Sequence, residues 1–126
     1  MCDDENIVYK DLSYKITGLA LEIHNELGCG FLEKVYENAL MVLLEREKIP
    51  AKQQAPANVN FRGKVIGQYF ADILVDDKLI LELKTVDVIA NIHIAQTLNY
   101  LRATGIKLGL IFNFGKPKFE YKRLVL

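Results

Sequence analysis

An aspartate, a glutamate and a lysine lie inside two runs, Tyr69 to Val75 and Leu79 to Thr85, that otherwise read as buried strands. Both runs are short, apolar and rich in branched residues, and Asp76-Asp77-Lys78 between them is a turn signal. Side chains alternate along a strand, so Glu82 and Lys84 share a face with Ile80, while Leu79, Leu81 and Leu83 take the other. Loop length decides where Asp72 falls. A three-residue loop makes pairing symmetric about Asp77 and sets Asp72 directly opposite Glu82, whereas a two-residue loop shifts the register by one and parts them. In the first arrangement two carboxylates stand about 5 Å apart, which is destabilising unless a cation lies between them. The three-residue loop thus predicts a divalent-metal site with a lysine beside it.

Asp72 followed by Glu82-Leu83-Lys84 resembles the core of the PD-(D/E)xK phosphodiesterase superfamily of metal-dependent nucleases. Gly30-Phe-Leu-Glu33-Lys-Val-Tyr36 resembles the G-x-x-E-x-x-Y motif that names a small bacterial and archaeal family within it. Gln96-Thr-Leu-Asn-Tyr100 is similar to the Q-x-x-x-Y that follows the Glu-x-Lys strand in RecB-type nucleases. Any one motif alone is weak, but all of them stand in the right order, and the resemblance runs from about Tyr14 to Leu126. The resemblance implies an α/β (α+β) fold, a restriction-endonuclease-like core with a mixed sheet flanked by helices. It also implies Mg²⁺ or Mn²⁺ as cofactor and a nucleic acid, DNA first, as partner; it leaves a homodimer open.

The length of 126 residues fits one domain, 1–126, able to bury a core without disulfides. Hydrophobic content of 51% with 25% charged residues excludes a disordered chain. No apolar run approaches the roughly 18–20 residues of a membrane span, and the acidic start Met1 to Glu5 is unlike a signal peptide. Cys2 and Cys29 form no CxxC, and residues 1–12 read as a flexible N-terminus, which makes Cys2 a poor disulfide partner. A reducing cytoplasm is the expected compartment, with no membrane partner. Net charge is zero, against avid non-specific nucleic-acid binding. Residues 105–126 nevertheless carry five basic side chains against Glu120, either a phosphate-binding strip or lysines guarding an edge strand.

Periodicity gives the order α-α-β-β-β-α-β-β. Ile16, Leu19, Ala20, Ile23 and Leu27 repeat at helical spacing, with Ser13 a candidate N-cap, and Gly28-Cys29-Gly30 turns the chain. A second helix is expected from Leu32 to Lys48, with Leu32, Val35, Tyr36, Ala39, Leu40, Leu43 and Leu44 inward. Strands are expected at Ala57 to Phe61 and Val65 to Val75, with Gly67 a candidate bulge, then at Leu79 to Thr85. A helix from Val88 or Asn91 to Thr104 and strands Leu108 to Phe114 and Phe119 to Val125 complete the chain.

Asp72 and Glu82 are the expected metal ligands, since hard oxygen donors suit Mg²⁺ or Mn²⁺; the alternative is a surface hairpin with an acid pair. The resemblance adds the Leu83 backbone carbonyl as a ligand and assigns Lys84 to aligning the attacking water. A structural ion pair with Glu82 or Asp72 is the other reading of Lys84. Glu33 at a helix start is explained by the dipole alone, and the G-x-x-E-x-x-Y match makes it a candidate active-site acid. Tyr36, one turn on, is a candidate substrate contact or a core residue. Gln96 and Tyr100 share a helix face; the resemblance sets Gln96 beside Lys84 or phosphate and Tyr100 on DNA. His24 is a candidate further metal ligand, and His93 a weaker candidate. Phe70 stands where the family commonly carries Arg. The expected function is a metal-dependent nuclease; the alternative is a non-catalytic nucleic-acid- or protein-binding module that keeps the fold.

Overall fold

Ile16, Leu19, Ala20 and Ile23 form the buried stripe that drives helix α1, Lys10–Leu27, onto the rest of the chain. The structure, a computed structural model, describes residues 8–126. The expected flexible N-terminus is corrected in its last part, since residues 10–12 are the first turn of α1; Cys2 and the acidic start lie outside the described residues. Ser13 is not the N-cap. It sits inside the helix, where its hydroxyl donates to the Lys10 carbonyl, and Tyr9 is the capping position. Helix α2, Glu33–Arg46, turns Tyr36, Leu40 and Leu44 inward, but Leu32 and Val35 are exposed, contrary to the expected inner face.

Strands β1, Ala51–Phe61, and β2, Lys64–Val75, form a long antiparallel hairpin whose tip residues Arg62 and Gly63 both have positive φ. Strand β1 starts six residues before the expected Ala57. Pro56 and the polar pair Gln53-Gln54 hide it from the sequence, and an edge strand tolerates all three. The register shifts by one after Val59↔Gly67, leaving Ile66 as the extra residue beside Gly67. Strand β3, Leu79–Lys84, pairs antiparallel with β2 and parallel with β4, Leu108–Asn113; β5, Glu120–Val125, closes the edge. Helix α3, Asn91–Thr104, makes the crossover between the parallel pair, as such a pair requires. The sheet order is β1-β2-β3-β4-β5.

The two faces of the sheet are unequal. Helices α1 and α2 cover the larger core, with Ile73, Leu79, Leu81, Leu83, Leu110, Phe112 and Phe114 beneath them. Helix α3 covers a smaller one built from Ala57, Ala71, Ile80, Tyr100 and Leu101. Contact there is close at Gly109, where a Cβ would come within 2.7 Å of the Thr97 methyl. No helix among the described residues is long and apolar enough to cross a membrane.

Candidate active site

The loop between β2 and β3 has three residues. Asp76 and Asp77 both take positive φ, and the Lys78 N–H donates to the Val75 carbonyl. The pairs Val75↔Leu79, Leu74↔Ile80 and Ile73↔Leu81 are symmetric about Asp77, so the same register sets Asp72 opposite Glu82. At that point the ladder ends. The Leu83 N–H donates to Asp72 Oδ2 at 2.8 Å instead of to a β2 carbonyl. Since N–H and C=O of one strand residue point to the same side, the Leu83 carbonyl also faces the Asp72 side. Lys84 points its carbonyl the other way, to the Phe114 N–H at 2.8 Å.

Asp72 lies where β2 changes face. Tyr69 and Ala71 pack under α3, Ile73 and Val75 pack under α1 and α2, and Leu74 returns to α3. Strict alternation would keep Ala71 with Ile73. The neighbouring strand is distorted at the same level: Gln54, between the pairs Gln53↔Ile73 and Ala55↔Ala71, has φ of 51°. Tyr100 braces this kink, its hydroxyl donating to the Ala55 carbonyl at 3.1 Å.

A cleft of about 290 Å³ opens between this point and α3. Asp72, Glu82 and Lys84 line its floor; His93, Gln96, Thr97 and Tyr100 line its α3 wall; Phe70 lies at its rim, half-exposed. Burial raises the Glu82 carboxyl most, the Asp72 charge raises it further and Lys84 opposes both, leaving it pushed up to about 8. Asp72 is also raised, by burial first, against the Leu83 N–H that lowers it. Tyr100 is raised by burial and then by Glu82. Lys84 forms no direct ion pair or hydrogen bond among the described residues, so the structural ion pair is not made.

Among the described residues no three His, Cys, Asp or Glu side chains converge as a ready metal cage. The donor set fits Mg²⁺ or Mn²⁺ all the same, because such ions take one or two carboxylates and keep waters elsewhere. Asp72, Glu82 and the Leu83 carbonyl are oxygen donors on one side of the strand, and the raised carboxyls are short of positive charge.

Glu33, His24 and Tyr36 lie outside the cleft. Glu33 is exposed at the first position of α2. One turn later Glu37 is buried, receiving Lys34 Nζ and Gln53 Nε2 on Oε2 and Gln54 Nε2 on Oε1. Its charge raises the Asp72 carboxyl, and the nearby Gln54 amide lowers it. Sequence reasoning missed Glu37, although Glu37, Leu40 and Leu44 share the inward spacing and an acid there is conspicuous. His24 is buried against Phe114 and Phe119, with Nε2 at 2.7 Å from the Lys116 carbonyl. That nitrogen therefore carries its proton and is closed to a metal. Tyr36 is fully buried, stacked on Phe114 at 4.5 Å; its hydroxyl donates to the Gly28 carbonyl and accepts from the Phe31 N–H.

Asn113 is a second residue the sequence reading passed over. It pairs with Lys84 across the parallel strands and is wholly buried. Its amide exchanges hydrogen bonds with the Val86 N–H and carbonyl and donates to Glu120, fixing the segment that leaves Lys84. Gly115 lets the same segment pass, since a Cβ there would stand 2.5 Å from the Val86 nitrogen. The one signal for Asn113 was an amide inside the apolar run Leu108 to Phe114.

The crystal structure of SSO0001 superposes with a TM-score of 0.58 at 19% identity, over 74% of this chain and 50% of that one. The chain thus spans about half the length of that protein, and the likeness is one of fold, the expected restriction-endonuclease-like core. No curated protein sequence matches. A family profile described as PD-(D/E)XK nuclease superfamily matches residues 10–124. That match takes in all three helices, all five strands except the last residue of β5, and every residue of the cleft, and the chain belongs to the PD-(D/E)XK nuclease superfamily.

Proposed function

We propose that the chain is a metal-dependent nuclease of the GxxExxY kind that hydrolyses phosphodiester bonds in DNA. The observation that carries this reading is the pair of partly buried carboxylates, Asp72 and Glu82, lining an open cleft with Lys84, which is in no direct ion pair with either. Asp72, Glu82 and the Leu83 carbonyl would hold Mg²⁺ or Mn²⁺. The chemistry such an ion supplies is Lewis-acid polarisation of phosphate oxygens and acidification of water.

The remaining work falls to the chain. Lys84, on the cleft floor beside both carboxylates, orients the attacking water and stabilises the negative charge that builds on phosphorus. Gln96, exposed on the α3 wall, bonds the phosphate or Lys84. Tyr100 has its hydroxyl engaged by Ala55, so its part is to hold the cleft's shape and present a ring edge. Glu37 holds the Gln54 amide near Asp72, where it favours the charged carboxylate. Phe70 offers the substrate an apolar ring in place of the family's cationic side chain, which weakens phosphate binding.

The test is Mn²⁺-dependent cleavage of single-stranded, duplex and branched DNA and of RNA by wild type, Lys84→Ala and Glu82→Ala. Lys84→Ala should lose cleavage by about 10²–10⁴-fold while Mn²⁺ still raises its melting temperature. Glu82→Ala should lose both. Equal cleavage by all three would assign the activity to a contaminant. An inactive wild type that still binds nucleic acid would favour the non-catalytic binding module.

A further inference from the structure

We infer that the polynucleotide strand next to the scissile phosphate leaves the cleft through a second groove, where Arg102 takes a backbone phosphate. This rests on the nuclease reading and names the path of its substrate. The groove, of about 490 Å³, lies between α3 and the β1–β2 hairpin and is lined by Asn58, Asn60, Tyr69, Asn99 and Arg102. Tyr69 lines both the groove and the cleft, so the two adjoin at that side chain.

The row His93, Gln96, Asn99, Arg102 shows why one helix serves both. Residues three apart fall about 60° short of a full turn, so the row winds around α3 as it rises about 14 Å. It begins in the cleft and ends in the groove. Hydrogen bonds run along it: Arg102 Nη1 donates to Asn99 Oδ1 at 3.2 Å, and Asn99 Nδ2 donates to the Tyr69 hydroxyl at 3.4 Å. Arg102 is the only formal charge lining the groove and has no ion pair among the described residues. A cation facing no carboxylate, above amides able to donate and accept, suits a strand carrying one negative charge per nucleotide. A neutral peptide would gain nothing from Arg102, and an acidic one would not need a groove that adjoins a phosphodiester site.

Two probes separate the groove from the cleft. Bis(p-nitrophenyl) phosphate is a diester with no flanking strand and reaches the cleft alone; a short single-stranded oligodeoxynucleotide reaches both. Arg102→Gln should raise KM for the oligonucleotide by about tenfold and leave turnover of the small diester unchanged. Fluorescence anisotropy of the labelled oligonucleotide, in chelator so that nothing is cut, should show the salt slope of binding reduced by about one. Arg102→Lys should keep that slope. Unchanged KM and slope in Arg102→Gln would overturn the path while cleavage of both probes left the nuclease reading standing. An equal loss on both probes would overturn it too, because Arg102 would then act on the cleft or the fold. Should wild type cut neither probe, nor duplex DNA, branched DNA or RNA, the nuclease reading fails and the path falls with it.

Discussion

Each face of the sheet carries one of the two motif tyrosines, and the faces use them differently. Under α1 and α2, Tyr36 is sealed in a cluster with Phe31 and Phe114, its hydroxyl satisfied twice by the α1–α2 loop. Under α3, Tyr100 spans from the helix to the kinked edge strand and borders two raised carboxyls. The first face is large and mostly apolar, and its buried polar side chains Ser13, His24 and Glu37 are all hydrogen-bonded. The second is small and holds acids that would be better placed with a cation. Stability is concentrated on one side of the sheet and chemistry on the other, as expected when a strained site is supported by a rigid scaffold.

A cavity on the α1–α2 face should break the fold without touching the chemistry. Phe114 is fully buried and contacts the rings of His24, Tyr36 and Phe119. Phe114→Ala should lower unfolding free energy by about 3–5 kcal/mol, read by urea titration. The increment that Mn²⁺ adds should match that of wild type. A lost increment would mean that the two faces are coupled.

The opposite face should respond to pH in the reverse sense from an ordinary carboxylate. Glu82 has its pKa raised from 4.5 to about 8. Between those values the native chain holds a proton that the unfolded chain has released, so metal-free stability falls as pH rises and is fully present only below 4.5. The slope of unfolding free energy approaches about −1.4 kcal/mol per pH unit within that window. Glu82→Gln should flatten it and stabilise the stripped protein above pH 8. An unchanged slope in Glu82→Gln would assign the pH dependence elsewhere.

The sequence showed most of the second face and less of the first. Alternation and a turn signal left two registers open, and the loop has the three residues that set Asp72 opposite Glu82. Gln96 and Tyr100 reached the cleft wall because a helix must cross over between parallel strands. Glu33 and His24 did not, and the reasons are physical. A motif fixes spacing but not helix rotation, and α2 turns Glu37 inward because Tyr36, Leu40 and Leu44 set its buried side. His24 was spent on a backbone carbonyl ninety-two residues away, which no local pattern reveals. The kink at Gln54 and the role of Asn113 also depend on partners distant in sequence.

Metal should act on the second face alone. Ligand that binds only the native state stabilises by about 2.7 kcal/mol at a hundredfold excess over Kd, so Mn²⁺ should raise the melting temperature of chelator-stripped protein. Asp72→Asn keeps the shape of the side chain and an acceptor for the Leu83 N–H, yet removes one ligand charge. It should abolish the rise. A rise equal to that of wild type would exclude Asp72 as a ligand and leave its burial unexplained.

The finest test compares the tyrosines themselves. Tyr36→Phe removes a hydroxyl that bonds both the Gly28 carbonyl and the Phe31 N–H. It should cost about 1 kcal/mol and leave Kd for Mn²⁺ and kcat unchanged, since nothing it touches lines the cleft. Tyr100→Phe removes one hydrogen bond, to Ala55, at a similar or smaller cost in stability. Its effect should nonetheless reach the chemistry, because Ala55 adjoins Gln54, and the Gln54 amide lowers the Asp72 carboxyl. The expected signature is a lower kcat with stability close to that of Tyr36→Phe. If the two variants are indistinguishable in kcat, the brace at Ala55 serves the fold alone, and the kink in β1 is held by Glu37 without help from α3.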